Sequence, residues 1–124
     1  MDEKSEKALG FVNQLIEKTK LDRLRWTTGF EDGQYKTLLP GGNLAFVIQV
    51  KGEMRKFQML DDHQEVILER TVTRDEVHIQ SVQSGDDRLG IFYEAILELQ
   101  ELARKRALQV NEKLERAEKL LAAI

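Results

Sequence analysis

The chain has 124 residues, of which 41% are hydrophobic and 33% are charged, so we expect a single folded domain over residues 1–124 rather than a disordered chain. Lys and Arg number 19 against 22 Asp and Glu, a net charge of −3, which excludes general electrostatic attraction to nucleic acid or anionic lipid. The sequence has no cysteine, which excludes disulfides, thiolate metal sites and a cysteine nucleophile.

An amphipathic helix is predicted over residues 3–20. Its apolar face recurs at spacings of three and four and comprises Ala8, Leu9, Val12, Leu15, Ile16 and Thr19. Asp2 or Ser5 can cap the start of this helix, and Lys18 and Lys20 near its end agree with the helix dipole.

Residues 21–34 show no regular period and are predicted to form an ordered connector. Trp26 is expected to fill the gap between the first helix and the sheet. A cation–π contact with Arg23 or Arg25 is the alternative use of this indole.

From Tyr35 onward the apolar pattern changes to a period of two, which predicts four or five short strands. The candidate segments are Tyr35–Leu39, Leu44–Val50, the residues around Phe57 and Met59, Glu65–Thr71 and, as the fifth, Val77–Val82. Leu44–Val50 is apolar on both faces, so we expect it to be central or covered twice. The short turns between the segments favour an antiparallel meander.

A long helix is predicted from Leu89 to Ile124, after a capping sequence at residues 84–87. Its apolar seam has nearly heptad spacing and comprises Leu89, Tyr93, Ile96, Leu99, Ala103, Ala107, Val110, Leu114, Ala117, Leu121 and Ile124. Such a helix is longer than a sheet strand, so residues 108–124 are expected to form a helical extension. If Asn111 caps a separate last helix, the same residues form a hairpin arm that folds back.

The predicted fold class is therefore α+β, with an N-terminal helix, an antiparallel meander and a long C-terminal helix. The outer face of that helix carries acid-before-base pairs four residues apart, namely Glu101 with Lys105, Glu112 with Arg116 and Glu115 with Lys119. These pairs predict a solvent-exposed outer face.

Three segments, Leu24-x-Trp26, Tyr35–Leu39 leading to Gly42, and Leu99–Ala107, together resemble a loosely defined group of small uncharacterised bacterial proteins. The resemblance implies the α+β fold and a bacterial origin. It implies no activity and no functional residue.

No residue pattern in the sequence predicts catalysis, a cofactor or a metal site. The nearest cluster of potential ligands is Asp61, Asp62, His63 and Glu65, but adjacent aspartates are also what a tight turn favours. His78 alternates with apolar neighbours and is predicted to face solvent from a strand.

The leading hypothesis is a non-enzymatic interaction or assembly module that acts through its C-terminal helix. The predicted contact residues are Ala107, Val110, Leu114, Ala117, Leu121 and Ile124. We expect a homo-oligomer or a protein partner, no nucleic acid and no membrane. The opening residues do not resemble a secretory signal, so a cytoplasmic location is expected.

Two other functions stay open. A small-ligand binder or minor enzyme would have a pocket between sheet and helices, lined by Trp26, Tyr35, Phe57 and Tyr93. An acidic partner-chaperone or antitoxin-like neutraliser would also fit the size and charge of the chain.

Overall fold

The computed structural model describes residues 1–124 as three helices and one five-stranded sheet. In chain order the elements are α1 (Glu3–Lys20), β1 (Trp26–Thr28), β2 (Gln34–Leu38), β3 (Ala45–Lys51), β4 (Met54–Leu60), β5 (Val66–Thr73), α2 (Arg74–Ser84) and α3 (Arg88–Ala122). The predicted α+β class is confirmed.

The sheet is an antiparallel meander in which every strand pairs with its neighbours in the chain, in the order β1-β2-β3-β4-β5. Strand β3 is central, as its apolar sequence predicts, and its Ile48 lies opposite Tyr35 on one side and Phe57 on the other. Because successive side chains alternate between faces, β3 contributes to two separate apolar clusters.

The main core lies between one face of the sheet and the two helices α1 and α3. Its largest fully buried side chains include Trp26, Phe57, Phe92, Ile48, Ile96, Leu99, Val12 and Val72. On the opposite face, Ala45, Val47 and Leu60 form a small cluster that contains no helical residue. The sheet therefore carries its helices on one side.

Ion pairs hold the starts of α1 and α3 together. The N-terminal ammonium of Met1 lies 2.7 Å from Oδ2 of Asp86, and Arg88 pairs with both Glu6 and Asp86. Hydrogen bonds from Arg88 and from the Met1 ammonium hold the pKa of the Asp86 carboxyl well below its usual range. The predicted cap of α1 is also formed, since Oδ1 of Asp2 accepts from the backbone N–H of Ser5 at 3.0 Å.

The predicted strand over Val77–Val82 is wrong, because this segment lies inside helix α2. Thr73 caps α2 by accepting from the N–H of Glu76 at 3.3 Å, and Gly85 ends it with a left-handed φ of 67°. The fifth strand is instead β1, inside the segment predicted as an irregular connector.

Helix α3 runs unbroken through Asn111, so the chain does not fold back there. It begins after Asp87, whose side chain makes no capping hydrogen bond, while Oδ1 of Asp86 accepts from the N–H of Arg88. None of the helices combines the length and apolar character needed to cross a bilayer.

Candidate interaction surface on the C-terminal helix

The first half of α3 buries its apolar seam against the rest of the protein. The buried seam positions are Leu89, Tyr93, Ile96, Leu99, Ala103 and Ala107, which lie three or four residues apart. The last of these, Ala107, is only 2% exposed.

From Leu108 to Ile124 every residue of the chain is exposed. We call this segment, residues 108–124, the arm. The seam continues along it, with Val110 38%, Leu114 58% and Leu121 71% exposed. The helix thus leaves the body with the same apolar face that it buries further back, and on the arm that face is mostly exposed.

Polar contacts fix α3 at the point where the arm begins. The Arg106 guanidinium lies 3.2 Å from the Asp22 carboxylate and donates to the Thr19 carbonyl at 3.3 Å. The Thr19 hydroxyl in turn accepts from the Trp26 indole N–H at 2.9 Å. Together these bonds tie α3 to the end of α1 and to edge strand β1, so the direction of the arm is set by the body.

A cleft of about 640 Å³ lies in the angle between the arm and the body. Leu24 and Trp26 line it from the body, and Val110 and Leu114 line it from the arm. The charged residues around it are Asp22, Arg25, Arg106 and Lys113. The lining of the cleft therefore combines four apolar side chains with a charged set that is mostly basic.

The outer face of α3 is charged, as the sequence predicts, but the predicted ion pairs are not formed. None of Glu101–Lys105, Glu112–Arg116 and Glu115–Lys119 is among the pairs within 4.0 Å. Exposed side chains of this length gain little from pairing, and water solvates them instead.

The aromatic residues predicted to line a pocket lie in the core rather than around one cavity. Trp26 and Phe57 are fully buried, and Tyr35 packs on the edge of the same cluster. Trp26 lines the cleft at the base of the arm, Tyr93 lines a different cleft, and the other two line neither.

The cleft lined by Tyr93 has a volume of about 930 Å³ and lies beside α2 and α3. Its most unusual residue is Arg55, which is only 8% exposed and has its guanidinium carbon 4.3 Å from the centre of the Tyr93 ring. Nη1 of Arg55 donates to the carbonyls of Gly52 and Met54, while Nε is buried without a hydrogen-bond partner. No carboxylate pairs with this cation.

The Asp61–Glu65 segment is a turn held by its own side chain. Oδ1 of Asp61 accepts from the N–H groups of His63 and Glu65, each at 2.9 Å, which is the turn chemistry that the sequence indicates. His78 is exposed on α2, not on a strand. No three histidine or acidic side chains converge to hold a metal ion.

Comparison with protein-family models, curated proteins and solved structures gave no match to this chain. Function is therefore inferred from the residues themselves.

Proposed function

We propose that this protein is a non-enzymatic interaction module that binds a protein helix along the seam of its arm. The observation that carries the proposal is the continuity of one apolar face, buried up to Ala107 and exposed from Val110 onward. A helix with one apolar stripe and a charged outer face is the form that pairs with another helix.

Energetics support a partner for the arm. Burial of apolar surface contributes about 25 cal/mol per Å², and the seam of the arm gains only part of this from its own body, since Val110 is 38%, Leu114 58% and Leu121 71% exposed. Most helical stability in proteins comes from packing of an amphipathic face, and short isolated helices are marginal in water. A partner on the seam would supply the missing contacts.

The test places a photo-crosslinking amino acid in the full chain in its native cells. At Leu114, on the seam, we expect adducts with a protein that mass spectrometry identifies. At Lys119, on the outer face, we expect none, and Leu121→Glu added to the Leu114 probe should abolish the adducts. Equal adducts from both positions, or none from either, would contradict the proposal.

A second candidate function is favoured by the unpaired guanidinium of Arg55. Its cleft contains a second cation, Arg74, and four acidic residues, Asp86, Asp87, Glu94 and Glu98, so it offers partners for both ends of a small zwitterion. Thermal unfolding with a panel of free amino acids tests this function, because a ligand of the folded form raises the Tm. The increase should vanish in Arg74→Ala, and no increase with any amino acid would rule it out.

A further inference from the structure

We infer that the partner of the arm is a second copy of this chain, and that the two arms pair antiparallel with Leu114 of each beside Ala117 of the other. The inference rests on the proposed function of the arm and adds the identity of its partner, the direction of pairing and the register.

The position of the body decides the direction. The seam that is exposed on the arm faces the protein's own body from Leu89 to Ala107. In a parallel pair, the second α3 would continue along the seam into the space that this body fills, and the two bodies would collide. In an antiparallel pair, the bodies lie at opposite ends of the paired arms.

Side-chain size decides the register. When Leu114 meets Ala117 of the second copy, Val110 meets Leu121. Each layer then combines a larger side chain with a smaller one, which is how facing helices fill the space between them. An in-register parallel pair would instead place two Ala117 side chains opposite each other.

The residues that flank the seam are compatible with this pairing. On one flank lie Asn111 and Glu118, and on the other lie Lys113 and Leu120. Antiparallel pairing brings the same flank of each helix together. The Asn111 amide of one copy then meets the Glu118 carboxylate of the other, and the aliphatic part of Lys113 meets Leu120. No two like charges are opposed.

The cleft at the base of the arm receives the end of the second arm. Residues 120–124 are apolar all round the helix and exposed, so the seam alone cannot cover them. In the antiparallel pair, residues 120–124 of the second copy reach the level of Ala107 and Val110 of the first. Leu120 of the second copy then lies beside Lys113 of the first, which lines the cleft. Arg25 and Thr27 of the body, which are exposed and line the cleft, then contact residues 120–124, whereas Leu24 and Trp26 are already buried.

The arm has only five seam side chains, namely Val110, Leu114, Ala117, Leu121 and Ile124, whereas a standard interface involves about 20–30 residues on each side, so we expect the dimer to dissociate on dilution.

Disulfide trapping in the full chain tests the inference against a background free of native cysteine. Purified Val110→Cys and Leu121→Cys chains are mixed and oxidised mildly, and Lys119→Cys on the outer face is the control. We expect the mixed 110–121 disulfide as the main product, because the two positions share a layer.

Three results would overturn the inference. Dominant 110–110 and 121–121 disulfides would show parallel pairing, and disulfides no more abundant than those of Lys119→Cys would show that the seam does not pair with itself. A mass that stays at 14.3 kDa at every concentration would exclude the dimer. None of these affects the proposed function, which the photo-crosslinks in cells test separately.

Discussion

The indole N–H of Trp26 donates a 2.9 Å hydrogen bond to the hydroxyl of Thr19, and both side chains are fully buried. The same hydroxyl donates to the Leu15 carbonyl at 2.6 Å, so one oxygen joins α1 to the edge strand β1 beneath the point where the arm leaves the body. The arm therefore starts from a rigid base.

Replacing Thr19 by Val keeps the shape of the side chain and removes the acceptor. The indole N–H is then buried without a partner, and we expect a loss of about 1–3 kcal/mol in the free energy of unfolding. Urea unfolding measures it. Thr27→Val, at an exposed position in β1, is the matched control and should change stability by less than about 0.5 kcal/mol. Equal losses of stability in Thr19→Val and Thr27→Val would show that the hydrogen bond between Trp26 and Thr19 adds no stability.

Gly33 has a left-handed φ of 72°, and a Cβ built on it would lie 2.2 Å from the Val50 carbonyl oxygen. Gly33→Ala should therefore destabilise the protein by more than about 1 kcal/mol, because both the backbone conformation and the space oppose a methyl group. Gly10→Ala is the control, since Gly10 lies inside α1 with open space around it. Gly10→Ala should be more stable than the native chain by roughly 0.5–1 kcal/mol. If Gly10→Ala lost as much stability as Gly33→Ala, the conformation and close contact of Gly33 would not be the cause of its effect.

The pKa of Asp86 gives a defined pH dependence. Because the folded protein lowers this pKa from its ordinary value of 3.8, the carboxylate contributes stability that is fully present above that value and is lost as the pH falls through the folded value. The urea midpoint should therefore fall more steeply below pH 4 in the native chain than in Asp86→Asn. Parallel midpoint curves for the two proteins would show that Asp86 adds nothing.

Removal of residues 111–124 should leave the body folded. All of these side chains are exposed, so the free energy of unfolding of the dilute monomer should change by less than about 0.5 kcal/mol. Leu99→Ala in the buried half of the same helix should cost about 2–5 kcal/mol. A truncated chain that unfolds would show that the arm supports the body.

Much of the fold can be predicted from the spacing of apolar residues along the sequence. The apolar period of α1 and α3 predicts these helices because each has one face against the core. The apolar patterns of β2 to β5 predict strands, and β3 is apolar on both faces because both of them are buried. Helix α2 has no buried residue, so its apolar positions follow no helical face, and the capping pair Thr73 and Glu76 was the signal that could have identified it. Strand β1 has only three residues, too few to show a period.

The seam of the arm is also readable from the sequence, but the point where burial ends is not. Ala107 and Val110 occupy the same stripe, and the difference in their burial comes from the elements that pack on α3, which include α1 and edge strand β1. Asn111 could begin a new helix by its chemistry. The residues on both sides of Asn111 favour a helix, so α3 continues through this position without a break.

Light scattering of the full chain over a dilution series measures whether the exposed seam of the arm pairs with a second copy of the chain. We predict a mass of twice 14.3 kDa at high concentration, falling to 14.3 kDa on dilution. Leu114→Glu should stay at 14.3 kDa throughout, whereas Lys119→Glu on the outer face should behave as the native chain does. A native chain that has the monomer mass at every concentration, or a dimer that Leu114→Glu leaves intact, would show that the arm does not pair with a second copy through its seam.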